Sequence, residues 1–267
     1  MKQGPDMTIL DQPPVAATAA LPKCNACRDG ESELFPFSMA FQPIVDVASQ
    51  AVFAYEALVR GPNQESAFSV LNQVTPENLY AFDQGCRVRA IELAAKLGMH
   101  EQGARLSVNF KPGAVYSPAA CIRRTLRAAA ETGFPLDHLI FEITEDERVS
   151  DTVHLQQIVT EYQKHGFGLA LDDFGAGFSG LNLLSELTVN YVKLDADLIR
   201  NLHDRPRAET IVRSAVAMCH EIGAEVIGEC IETVEEYEAL RNCGVHLMQG
   251  YFFAKPQFEA LPEVIWP

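Results

Sequence analysis

From Phe37 onward, short apolar runs alternate with longer segments of helical pattern. The short runs are "MAFQPIVDV", "AVFAYEALV", "ARLSVNF", "HLIFEIT", "FGLALDD", "VNYVKLD", "AEVIGE" and "HLMQGYFF", each of strand length. The longer segments predict helices over 75–98, 119–133, 152–166, 207–223 and 233–244, with a short one across "LNLLSEL". Glycine closes the long helices at 98, 133, 166, 223 and 244, where left-handed C-caps belong. The strands read as apolar on both faces, as in a mainly parallel sheet covered by helices. Repeated over more than 200 residues, this pattern predicts an α/β fold, a TIM-like (β/α)8 barrel. The first two runs are joined around "VASQA", which is hairpin length and too short for a parallel crossover, so one barrel strand is expected to be antiparallel.

Residues 1–35 lack this periodicity and are rich in Pro, Ala and Gly, so they read as a flexible tail before a folded domain over 36–267. The tail contains "CNAC"; Cys24 and Cys27 fit half of a zinc site or a redox pair, with no second pair beside them. The other five of the seven cysteines are scattered through apolar segments, as reduced thiols are. No run is long enough to span a membrane and the N-terminus fits a secretory signal poorly, so the expectation is a cytoplasmic chain without membrane insertion. With 36 acidic against 21 basic residues, the net charge of -15 argues against DNA, RNA or an anionic lipid surface as partner. An anionic substrate would need a local source of positive charge.

"LALDDFGAGFSGL" places Gly175, Gly177 and Gly180 in the G-x-G-x-x-G spacing of a dinucleotide site, directly after a strand-like run. Asp172 and Asp173 oppose that reading, because both would repel a pyrophosphate. The following helical stretch is also short for a crossover that presents its N-terminus to phosphate.

A different picture comes from the C-terminal ends of the other strands, where barrel active sites are built. They carry Glu56, Asn109, Glu142, Asp172, Asp173, Asp195, Glu229 and Gln249, nearly all oxygen donors. So many carboxylates around one axis repel one another unless cations neutralise them. Oxygen ligation without His or Cys points to Mg2+ or Mn2+, and adjacent acids where a strand leaves its pleat can serve two ions. Lys193 and Asp195 are two apart on a strand and share a face, so Lys193 brings an ammonium into the ring. Asp195 equally stands where a helix cap belongs. Arg60, just past Glu56, can take a phosphate from the rim. Tyr251 is a candidate base-stacking surface, or a core residue of the run "YFFAKP".

Seven stretches, "EALVR", "SVNF", "FEITE", "LDDFGAGFSGL", "VKLD", "ECIET" and "QGYFFAKP", occur in the order that resembles the EAL-domain cyclic-di-GMP phosphodiesterases, over about residues 38–257. The resemblance implies a barrel with one antiparallel strand. It also implies hydrolysis of one phosphodiester of cyclic di-GMP to linear pGpG, which lowers a second messenger of bacterial signalling. Carried over, it implies that Glu56, Asn109, Glu142 and Asp172 hold one metal and that Asp172 and Asp173, with Glu229, hold a second. Lys193 would contact the attacking water, with Glu229 or Gln249 positioning it, and Arg60, Asp195 and Tyr251 would face substrate. Glu145 and Glu232 would fix the loop after Asp173, a region that in the family couples homodimer formation to activity. One departure stands out: "ECIE" has Cys230 where the family has glycine, which constrains the backbone if a positive φ is needed. Two other classes remain open, a cyclic-di-GMP receptor without turnover and a protein-binding module.

Overall fold

The computed structural model describes residues 34–144, 152–177 and 180–267. Most of the expected tail, with Cys24 and Cys27, and the expected loop acid Glu145 lie outside the described residues. In chain order the elements are β1 (Ser38–Asp46), β2 (Ala51–Arg60), α1 (Ala67–Leu71), α2 (Leu79–Lys96), β3 (Arg105–Asn109), α3 (Pro118–Cys121), α4 (Arg123–Thr132), β4 (Leu139–Thr144) and α5 (Thr152–Lys164). They continue as β5 (Gly168–Phe174), α6 (Gly180–Glu186), β6 (Tyr191–Leu194), α7 (Ala196–Ile199), α8 (Pro206–Glu221), β7 (Glu225–Gly228), α9 (Val234–Asn242), β8 (Leu247–Met248) and β9 (Gln257–Phe258).

Strands β2 to β8 pair in sequence order, all parallel. β1 closes the barrel by pairing antiparallel with both β2 and β8, so it is the expected antiparallel strand. Its hairpin to β2 runs in register from Ser38↔Arg60 to Asp46↔Ala51, with one irregularity at Ile44/Val45. The fold is thus the anticipated TIM-like barrel, with β9 added along the outer part of β1. The helix-ending glycines at 98, 133, 166, 223 and 244 all have positive φ, as the helix stops require.

The barrel interior explains where chemistry can sit. Ile44, Ala54, Ile140, Ala170, Ile227 and Leu247 form a separate buried apolar cluster inside it, with Phe53 and Tyr191 packed against them. Two residues nearer the mouth, and therefore on the same inward face, stand Gln42, Glu56, Glu142, Asp172, Glu229 and Gln249, with Lys193 above Tyr191. An apolar plug below and a polar layer above follow from strand alternation alone. The outward faces join the larger core between strands and helices, around Phe41, Leu106, Phe141, Leu169, Val192 and Val226.

Two local expectations need correction, and two short elements were not anticipated. The run 246–253 is a strand only at Leu247–Met248, because Gly250 presses against the backbone of Ile231: a Cβ there would meet its oxygen at 2.0 Å. The helix expected over 119–133 divides at Ile122 into α3 and α4. α1, capped by the Ser66 side chain, and β9 had no recognised signal. Among the described residues no helix is long and apolar enough to cross a membrane.

Candidate active site

Lys193, projecting inward from β6, organises the mouth. Its Nζ is 2.9 Å from Glu229 Oε1, 3.0 Å from Glu142 Oε2, 3.0 Å from Asp172 Oδ1 and 3.6 Å from Glu56 Oε2. The lysine is 1% exposed, so these contacts replace its hydration. Burial alone would lower its pKa, but Asp172, Glu142, Glu229 and Glu56 together hold it well above the ordinary lysine range.

Each carboxylate has its own support. Glu56 accepts from Asn109 Nδ2 at 3.0 Å and from Gln249 Nε2 at 2.9 Å, which leaves the Asn109 amide oxygen as the end available to a cation. Glu142 accepts from Ser107 Oγ at 2.6 Å and from Lys193 at 3.0 Å. Asp172 accepts from the Asp173 backbone N–H at 3.0 Å.

Adjacent residues on a regular strand face opposite sides, yet Asp172 and Asp173 both serve the mouth. The cause is local: Asp173 has φ 56°, and the β5–β6 register shifts between Leu171 and Phe174. Aspartate is among the few residues that adopt this left-handed conformation at modest cost. As a result Asp172, Asp173 and Glu229 bring carboxylate oxygens within 4.8 Å of one another.

The charges do not balance. Glu56, Glu142, Asp172, Asp173 and Glu229 face one ammonium, so full ionisation would leave four negative charges uncompensated. The protein responds by holding protons. Burial first, opposed by Lys193 and reinforced by Glu56 and Asp172, pushes Glu142 up to about 8. Burial and then Asp172 push Asp173 up to about 6, and burial also raises Glu229 well above the carboxylate range. A ring of hard oxygen donors that cannot all ionise fits a hard divalent cation.

The remaining candidates occupy the rim. Arg60 is half-buried, with Nη1 donating to Val59 O at 2.7 Å. Tyr251 is 54% exposed, with Lys255 Nζ 5.4 Å from its ring centroid, and belongs to the turn after β8 rather than to the core. It lines a cleft of ≈ 240 Å³ with Glu56, Glu229, Cys230, Gln249 and Gln42. Asp195 caps α7 by accepting from Asp197 N at 2.8 Å, and its charge helps raise the Asp173 carboxyl. Glu232 is exposed and pairs with Arg200 at 3.1 Å. Cys230 is exposed, with φ 54°, so the glycine-like conformation is adopted without glycine.

Three residues went unnoticed in the sequence. Ser107 is two before Asn109 on the same face, so strand alternation would have found it. Gln42 is in register with Glu56 but lies mid-strand on β1, which runs opposite to the others, so a search of C-terminal strand ends passes over it. Glu236 is buried and accepts the backbone N–H groups of Glu232 and Asn201, at 3.0 and 3.1 Å, while its own N–H donates to the N-cap Thr233. The T-x-x-E spacing from Thr233 was its signal, a capping box whose acid also ties the β7–α9 loop to residue 201.

A family model described as "EAL domain" matches residues 32–256. A c-di-GMP-bound structure of a standalone versatile EAL protein from Vibrio cholerae O395 is 49% identical at TM-score 0.84, covering 88% of this chain and 98% of that one. A manganese/cy-diGMP complex of BlrP1 from Klebsiella pneumoniae is 31% identical at TM-score 0.82, covering 88% and 59%. Among curated relatives, the blue light- and temperature-regulated antirepressor BluF of Escherichia coli is 27% identical, covering 85% of this chain and 56% of BluF. The cyclic di-GMP phosphodiesterase PA2567 of Pseudomonas aeruginosa is 25% identical, covering 85% and 39%. The chain therefore spans about half or less of the curated relatives it matches.

Proposed function

Since this chain belongs to the EAL-domain family, we propose that it is a cyclic-di-GMP phosphodiesterase that hydrolyses one phosphodiester of cyclic di-GMP to linear pGpG with two divalent cations, Mg2+ or Mn2+. The observation that carries this reading is the buried carboxylate ring around Lys193, whose donors are oxygens and whose charge is incomplete without cations. Glu56, Asn109, Glu142 and Asp172 would hold one cation, and Asp172, Asp173 and Glu229 the second. When bound, the cations supply Lewis acidity and neutralise charge at the phosphodiester.

The chain's own groups do the rest. Lys193 Nζ would donate toward the attacking water, and Glu229, whose Oε1 is 2.9 Å from that Nζ, would orient the water. Gln249 fixes Glu56 and keeps both of its oxygens aimed inward. Arg60 would meet a substrate phosphate at the rim, and Tyr251, which lines the same cleft as Glu229, would offer a ring face to a base. By likeness to the family, Glu145 and Glu232 would fix the loop after Asp173, a region through which the chain would form a homodimer.

The likeness to an antirepressor favours a second reading, a domain that binds cyclic di-GMP and a protein partner without turnover. Assay of the unaltered protein beside Glu56→Ala separates the two. The phosphodiesterase reading expects pGpG from the unaltered protein with Mn2+ and at least a 10³-fold loss, roughly, in the variant. Tight binding of cyclic di-GMP with no product from the unaltered protein would select the receptor.

A further inference from the structure

Behind the barrel wall, α2 carries a charge pair that contacts no candidate ligand. Asp83 and Arg87 are one turn apart and 4% and 0% exposed, and Arg87 Nη2 donates to Asp83 Oδ2. Arg87 Nη1 donates to the Tyr162 hydroxyl at 2.6 Å, while its Nε has no hydrogen-bond partner among the described residues. Stability alone does not account for the pair, since a buried ion pair with an unsatisfied donor is commonly matched or improved by apolar side chains.

Its contacts lead to the site instead. Asp83 Oδ1 accepts from the Lys111 backbone N–H at 2.9 Å, which fixes the chain two residues after Asn109. Between them, Phe110 N–H donates to the Glu142 carbonyl at 3.1 Å. The Arg87 guanidinium lies 5.1 Å from the Phe110 ring centroid and 5.4 Å from that of Phe141. Phe110 follows Asn109 and Phe141 precedes Glu142, so these rings are the outward neighbours of two inward donors. A flat, always-charged group packed against both rings is placed to brace the strand ends that carry Asn109 and Glu142.

We propose that Asp83 and Arg87 are positioning residues that hold Asn109 and Glu142 at the spacing a divalent cation requires. This rests on the divalent-cation reading of the carboxylate ring, and it needs no turnover. The test is calorimetric titration of the full chain with Mn2+ alone, on the unaltered protein, the double variant Asp83→Leu/Arg87→Met and the single variant Arg87→Lys, with folding followed by circular dichroism. The double variant is expected to stay folded and bind Mn2+ about 10–100-fold more weakly. Arg87→Lys keeps a cation beside Asp83 but loses the planar stacking, and a smaller loss in the same direction is expected.

Mn2+ affinity unchanged within about twofold in a folded double variant overturns the proposal; if the double variant does not fold, unchanged affinity in Arg87→Lys overturns it. A purely structural role would lower the melting temperature and leave the affinity of the folded protein where it was. Failure of the unaltered chain to bind Mn2+ overturns both this proposal and the metal reading. Mn2+ binding without pGpG formation overturns only the phosphodiesterase reading.

Discussion

Lys193 Nζ and Glu142 Oε2 lie 3.0 Å apart at the centre of the barrel mouth, and both residues are 1% exposed. The contact makes Lys193 a counter-ion before it is anything else. The same ammonium that would orient a water holds together carboxylates that otherwise repel one another.

Lys193→Met therefore has two separable effects. Turnover is expected to fall by about 10²–10⁴-fold through loss of the donor to the water. The metal-free variant is expected to lose about 3–5 kcal/mol of stability, as when one partner of a buried ionic cluster is removed. Denaturant melts with and without Mn2+ check this: Mn2+ should restore much of the stability and none of the turnover.

Metal binding should depend on pH with a definite sign. Glu142 is raised to about 8 and Asp173 to about 6, so between the ordinary carboxylate range and those values the folded metal-free chain binds more protons at these groups than the unfolded chain. Stability of the metal-free chain then declines as pH rises from the ordinary carboxylate range through about 8. Cations compete for the same oxygens, so Mn2+ affinity rises between about pH 6 and 8, on the order of tenfold per pH unit for each proton displaced. Calorimetry in buffers of different ionisation enthalpy counts those protons; an affinity flat with pH would contradict the prediction.

Ser107→Ala removes the 2.6 Å hydrogen bond to Glu142 Oε1 and nothing larger than a hydroxyl. Mn2+ affinity is expected to drop by about tenfold, with stability changed by about 1 kcal/mol. Titration and melting on the same sample distinguish a loosened ligand from a loosened fold.

Cys230→Gly is expected to stabilise the protein. Cys230 has φ 54°, a conformation that costs a side chain about 1–2 kcal/mol and glycine little. After the larger entropy of unfolded glycine is set against this, a gain of about 1 kcal/mol should appear in the denaturant midpoint. Cys230→Val, branched at Cβ, should lose more than that amount.

The sequence made most of the barrel legible, because its strand runs, helix-closing glycines and the short "VASQA" link each record a local steric requirement. The inward acids were legible for the same reason: Glu56, Glu142, Asp172 and Glu229 stand two residues above an apolar plug residue. What stayed hidden depended on pairing between distant segments. Gln42 needed the direction of β1, and the end of β8 needed the approach of Gly250 to Ile231. Asp83 and Arg87 lie on a helix whose pattern marks a buried face but not what that face braces.

The proposed function requires that this carboxylate ring hydrolyse cyclic di-GMP only with a divalent cation in place. It is tested most directly by incubating chelator-treated protein with cyclic di-GMP, adding Mn2+ to half of the sample, and resolving the products by mass. The expected outcome is pGpG in the Mn2+ sample and none in the chelated one. Equal product in both samples, or bound but uncleaved cyclic di-GMP in both, would contradict it.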